Sequence, residues 1–135
     1  MTTLLDSRIH AAQLFAAILP SSAIRKDPEE LHTYECDGLS AYRILPLLVL
    51  LPETVEQVQL ILKTCSEHSI PVIARGAGTG LSGGATPRAD AVIVSLARFN
   101  QILKIDVDNR LAVVQPGVRN LAISESARPH HLYYA

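Results

Sequence analysis

Five of the chain's seven glycines fall within ten residues, RGAGTGLSGG, Arg75 to Gly84, a stretch with no Pro and no acidic side chain. A backbone so poor in side chains cannot build a core. It can turn tightly and let another group approach its peptide units. The flanking residues narrow the choice. Pro71 to Ala74 reads as a short buried strand, and Gly78, Gly80 and Gly83 then have the G-x-G-x-x-G spacing of a dinucleotide loop. That motif works because a helix begins inside it and aims its N-terminal amides at a pyrophosphate. Here Gly84 is followed by ATPRADAVIVSL, where Pro87 interrupts a polar stretch before the next aliphatic run, so the helix has no room. Asp106 lies at a tolerable distance for the motif's acidic partner and discriminates nothing, while the lack of Gly-Lys-Ser/Thr excludes a Walker loop. What remains is a helix-free loop whose successive amides turn toward one anion. Glycine is required there because a side chain would block the approach and because positive φ costs an L-residue about 1–2 kcal/mol. Thr79 and Ser82 offer hydroxyls as well. The competing reading is a glycine-rich turn that serves chain geometry alone.

The rest of the chain alternates strand and helix signals. Leu47 to Leu51 is a continuous aliphatic run stopped by Pro52, as in a strand buried on both faces. Thr54 and Gln57 have capping-box spacing, and Val55, Val58, Ile61, Leu62 and Cys65 recur at three and four residues, predicting one apolar helix face. Leu47 to Ala74 thus reads as a βαβ unit with parallel strands. Ala91 to Leu96 is a third strand. Ile102 to Val107 and Leu111 to Gln115 form a predicted hairpin closed at Asp108-Asn109, and a short helix follows Pro116-Gly117 from Val118 to Ala127. At the other end, Asp6 or Ser7 is placed to cap a first helix reaching about Leu19, and residues 25–42 read as a loop with one helical turn. The fold class is α/β.

Composition removes several functions. Twelve Lys and Arg against thirteen Asp and Glu, with no basic block, argue against a nucleic-acid partner. Cys36 and Cys65 are far apart and read as reduced structural thiols, which suits the cytoplasm. AAQLFAAILP resembles a secretory leader core but lacks its basic flank, and no apolar run approaches the roughly 20 residues of a membrane-spanning helix. His130 and His131 have no companion carboxylate or third ligand that would make them a metal or acid-base site, and His10, His32 and His68 have surface-like contexts. A hydrophobic content of 48% with 4% aromatics fits an aliphatic α/β core or part of a larger protein.

PVIARGAGTGLSGGA, with LLVLLPETVEQV before it and VQPGVRNLAIS after it, resembles the FAD-binding domain of the vanillyl-alcohol oxidase (PCMH-type) flavoprotein family. YECDGLSAYR, ARFNQILKID and PHHLYYA are similar to its glycolate-oxidising branch, the flavin-binding D subunits, so the likeness runs from about Glu35 to the last residue. The resemblance implies an N-terminal helix and loop extension over residues 1–46 and part of a PCMH-type domain over 47–135. It implies cofactor binding by Gly76, Gly78, Thr79, Gly80, Leu81, Ser82, Gly83 and Gly84, with Pro52, Pro116 and Gly117 near the cofactor. Some members of the family attach FAD through a His after the paired glycines; Ala85 stands there, which implies a noncovalent flavin. Arg75 either adds positive charge near the phosphates or is solvated or salt-bridged.

The resemblance further implies a 2-hydroxy acid such as glycolate as substrate. The partners it implies are further subunits, one of them iron-sulfur, that pass electrons to a membrane acceptor, with any contact with the inner membrane peripheral. D-lactate dehydrogenases share the loop. The family's substrate-capping domain, with its catalytic residues, does not appear in the sequence. The chain is therefore expected to be either part of such an oxidoreductase or an inactive truncated product that binds at most a nucleotide or a partner.

Overall fold

The computed structural model describes residues 4–135. Its centre is a four-stranded sheet of β1 (Ile24–Arg25), β2 (Leu48–Leu50), β3 (Val72–Arg75) and β4 (Val92–Ser95), in the order β1-β2-β4-β3. Strands β2, β4 and β3 run parallel, with Val49 opposite Ile93 and Ile73 opposite Ile93 from the other side. The expected βαβ unit is present, but β4 inserts between its two strands. The antiparallel edge strand β1, paired Ile24 to Leu50, overlaps the start of the expected loop at Arg25 and is not among the expected strands; two residues are too few for periodicity to reveal.

Alternation along the strands sorts the core into two faces. Leu48, Leu50, Val92 and Val94 point to one face and pack with Ala11, Phe15 and Leu19 from the N-terminal segment and with Ile61 and Cys65 of α3 (Val55–Glu67). Val49 and Ile93 point to the other, where Leu31, Tyr34 and Leu45 cover them. Such two-sided burial explains why these strands are continuous aliphatic runs; each fully buried side chain contributes about 1.5–3 kcal/mol of transfer free energy.

α3 begins as predicted. Thr54 Oγ1 accepts from the Gln57 amide at 3.2 Å, and Gln57 Oε1 accepts from the Thr54 amide at 3.3 Å, which satisfies two otherwise orphaned donors. Its apolar face is narrower than expected. Ile61 and Cys65 are buried, but Val55 and Leu62 are exposed. The first helix, α1 (Leu4–Phe15), also departs from expectation: Asp6 and Ser7 lie in its first turn rather than at its cap, and it ends before Leu19. The amides of Ile18 and Leu19 both turn back to the Phe15 carbonyl, at 3.0 and 2.9 Å, and this turn delivers Leu19 to the core.

A one-turn helix, α2 (Pro28–Leu31), brings Leu31 under the sheet. The remaining elements are the hairpin β5 (Ile102–Asp106) and β6 (Leu111–Val114) and the helix α4 (Asn120–Ala127). The hairpin carries a register shift between Ile102 and Lys104, and its turn is tied by Asp106 Oδ1, which accepts from the Asn109 amide at 3.0 Å. Among the described residues, no helix is long and apolar enough to cross a membrane.

Candidate functional site

Because β3 and β4 are parallel neighbours, the chain between them must cross back over the sheet, a task usually given to a helix. Here residues 76–91 contain none. The glycine stretch is the crossover itself. It leaves from the C-terminal end of β3, the end of a parallel sheet where ligands of α/β proteins gather.

Strong local demands explain some of its glycines. Gly78 and Gly83 have φ of +73°. A Cβ on Gly76 would lie 2.5 Å from the Pro116 carbonyl oxygen, and one on Gly117 would lie 2.5 Å from that of Leu96 and 2.8 Å from that of Phe99. The fold therefore brings Gly76 at the start of the loop against Pro116, while Gly117 packs against Leu96 and Phe99, its amide bonded to Phe99 O at 2.8 Å. Gly80 and Gly84 are different. Neither has positive φ, and a Cβ on either would meet nothing within 4 Å. Of the two grounds expected for glycine, positive φ does not apply at these positions. What their missing side chains leave is open space at the loop tip.

The tip is exposed at Thr79, Gly80, Leu81, Ser82 and Gly84, and Leu81 reaches 73%. The amides of Ala77 through Gly84 donate to no acceptor among the described residues; the first loop amides with partners are Ala85, to Asp37 Oδ2 at 3.5 Å, and Thr86, to the Gly83 carbonyl at 3.1 Å. Thr86 Oγ1 is buried beside Gly83 with no hydrogen-bond partner. Eight successive free donors, two exposed hydroxyls and no acidic side chain within the stretch itself suit an anion, and the open faces of Gly80 and Gly84 leave it room to approach. A pyrophosphate fits this donor set. Pro52 is buried just past the end of β2.

Sequence reasoning missed the segment that backs the loop. A Cβ on Gly38 would lie 2.7 Å from the Gly80 carbonyl oxygen and 2.8 Å from that of Thr79, so the two chains touch backbone to backbone. Asp37 is only 7% exposed and accepts from the Leu39 amide at 2.8 Å and, more weakly, from Ala85. Asp-Gly marks a turn in the sequence, but nothing local shows which distant loop that turn will meet. Glu35 steadies the excursion from below: its carboxylate takes bonds from His32 Nδ1 at 2.9 Å and Arg43 Nη1 at 2.7 Å, which hold its pKa below the ordinary value. Arg75, read as adding charge near the phosphates or as solvated or salt-bridged, donates from Nη1 to the Cys36 carbonyl at 2.6 Å, lies over the Tyr34 ring, 5.5 Å from its centroid, and forms no salt bridge among the described residues.

Beside the loop lies a cleft of about 380 Å³, lined by Ala77, Ala97, Asn100, Gly117, Arg119 and Leu121 among others. His130 and His131 are exposed, and among the described residues no three His, Cys, Asp or Glu side chains gather as a metal site.

A family model described as "FAD binding domain" matches residues 46–135, which include the glycine loop, both walls of the cleft and the whole parallel sheet. The chain belongs to this FAD-binding-domain family. It is 56% identical over 117 residues to glycolate oxidase subunit GlcD of Escherichia coli (strain K12), a match covering 87% of this chain and 23% of that protein. It is 40% identical over 87 residues to D-lactate dehydrogenase of Archaeoglobus fulgidus, covering 64% of this chain and 19% of that one. Among solved structures, p-cresol methylhydroxylase with substrate bound superposes with a TM-score of 0.78 at 29% identity, over 93% of this chain and 25% of that chain. The fold is thus the PCMH type. The chain spans about a quarter of the length of the relatives it matches.

Proposed function

We propose that the chain is the FAD-binding portion of a flavoprotein 2-hydroxy-acid oxidoreductase, most like one that oxidises glycolate, and that residues Gly76 to Gly84 hold the FAD pyrophosphate. The observation that carries the reading is the run of eight unpaired amides from Ala77 to Gly84 at the C-terminal edge of a parallel sheet. Backbone donors bonded to a charged group contribute about 1.5–3 kcal/mol each, so a few of them suffice for firm binding. Thr79 and Ser82 add hydroxyl donors. Gly80 and Gly84 keep the approach clear. The adjoining cleft, reached past Ala77 and Gly117, takes part of the cofactor beyond its phosphates.

When bound, the flavin supplies the acceptor for the hydride leaving C2 of the hydroxy acid. This chain's share of the work is to bind and orient. Ala85 leaves the cofactor noncovalent, since its methyl group offers no nucleophile. Acid precipitation of reconstituted protein should release free FAD into the supernatant, and yellow colour kept in the pellet would contradict this. The relatives that are glycolate oxidase subunits favour glycolate and an assembly of several subunits. An iron-sulfur subunit as the electron outlet, and membrane contact made through partners from the cytoplasmic side, are part of the proposal on the strength of the sequence resemblance. The Archaeoglobus relative favours D-lactate as a second reading.

The test is flavin-fluorescence titration of wild type and Gly80→Val. The added side chain projects into the open space at the tip and strains no backbone. Loss of one or two charge-assisted bonds, about 1.5–3 kcal/mol each, should weaken binding by tenfold or more. Equal affinities would remove the pyrophosphate from this loop.

A further inference from the structure

Arg75 stands out from the arginines that carry ion pairs in this fold. Arg25, Arg43, Arg88 and Arg98 each meet a carboxylate at 2.6–3.0 Å. Arg75 meets none among the described residues, although it is half-buried. A guanidinium withdrawn from water is costly unless its charge and its donors are answered. Here only Nη1 is answered by a protein acceptor, the Cys36 carbonyl, with the Tyr34 face adding a cation–π contact. The other nitrogens are turned to the loop: a Cβ on Gly78 would lie 2.6 Å from both Nε and Cζ, so the guanidinium lies flat against the Gly78 backbone. Gly78 is therefore fixed twice, by its φ of +73° and by the arginine beneath it.

We propose that Arg75 is a positioning and charge-supplying residue for the anion held by the glycine loop. Its guanidinium, clamped by Cys36 and Tyr34, props Gly78 in the left-handed region and places an uncompensated positive charge beside eight free amides. This rests on the reading of the loop as a pyrophosphate site and adds to it a side-chain charge that backbone amides alone do not provide. It also gives Tyr34 and Cys36 a purpose: one stacks the guanidinium and the other orients it, so the charge cannot swing out into solvent.

The experiment compares the whole chain as wild type, Arg75→Met and Arg75→Lys. FAD binding is followed by flavin fluorescence at low and at high salt, with inorganic pyrophosphate as competitor and circular-dichroism melts as the check of fold. A folded Arg75→Met should bind FAD roughly tenfold more weakly at low salt, with a flatter salt dependence, and pyrophosphate should compete less well by a similar factor. Arg75→Lys, which keeps the charge but loses the planar group stacked on Tyr34 and Gly78, should keep the wild-type salt dependence while binding about threefold more weakly. If wild type binds neither FAD nor pyrophosphate, the reading of the loop falls and this proposal with it. If wild type binds and a folded Arg75→Met binds equally well, Arg75 alone is overturned. Should Arg75→Met fail to fold, Arg75→Lys decides: weaker binding with the wild-type salt dependence supports the proposal, and affinity equal to wild type or a flattened salt dependence in the folded protein refutes it.

Discussion

The inner strands and the loop that joins them obey opposite rules. In β2 and β4 each strand is paired on both sides and every side chain is buried, whereas across residues 77–84 no amide has an acceptor among the described residues and most of the backbone is exposed. One region is saturated internally, and the other is left unsaturated at the sheet's ligand-binding edge. The difference shows how a small fold separates stability from recognition: bonds withheld from folding are available to an anion. It follows that substitutions in the sheet should cost stability first, and those at the loop tip should cost binding with little loss of stability.

The largest effect is expected at Ile93, fully buried at the centre of β4 between Val49 and Ile73. Ile93→Ala removes three carbons from a site held on both flanks, and the cavity cannot collapse without disturbing two ladders. The cost should be about 2–5 kcal/mol, read from urea or thermal unfolding. A loss below about 1 kcal/mol would mean that the sheet is not the rigid half of the comparison.

A second effect separates the two cysteines, one under each region. Cys65 lies in the core beneath the sheet and Cys36 is half-buried beside the loop. Burial pushes the Cys65 thiol from its ordinary 9.0 up to about 11. The folded state therefore keeps a proton that the unfolded chain releases. Stability from this group is whole below pH 9.0, falls as pH rises toward about 11, and is then lost, by roughly 2–3 kcal/mol in total. Cys65→Ala should lower the baseline but remove that component, so the difference between the two pH profiles isolates it. Parallel profiles would show that the thiol is reached by water.

Much of the saturated half was legible in the sequence, because its signals are local. LLVLLP, the Thr54–Gln57 box and the runs at Val72 and Val92 gave strands and a helix close to their observed bounds. Where an exposed surface or a distant partner decides, the reading went astray. Val55 and Leu62 have helical spacing yet face solvent, and the edge strand at Ile24–Arg25 exists only because β2 is there to pair with it. The loop's residue content was visible, since glycines with hydroxyls and without acids are a compositional signature. Its support was not. Gly38 against Thr79 and Gly80, Asp37 to Ala85 and Arg75 to Cys36 join residues about forty apart, and no periodicity records such contacts.

The smallest effect tests the comparison inside the loop, with Gly78→Ala set beside Gly80→Ala. At Gly78 an L-residue must accept φ of +73°, about 1–2 kcal/mol in itself, and its Cβ must also displace the Arg75 guanidinium from beneath the backbone. At Gly80 neither demand exists: φ is not positive, and a methyl group enters open space. Gly80→Ala should therefore leave the unfolding free energy from urea titration within about 0.5 kcal/mol of wild type, as surface substitutions without special geometry do, while Gly78→Ala lowers it by about 1 kcal/mol or more. Equal losses at the two sites would mean that the loop tip is packed in solution, and that its amides are not free for a ligand. A destabilised Gly80→Ala with an unchanged Gly78→Ala would invert the assignment, placing the structural demand at the tip and the open approach at its base.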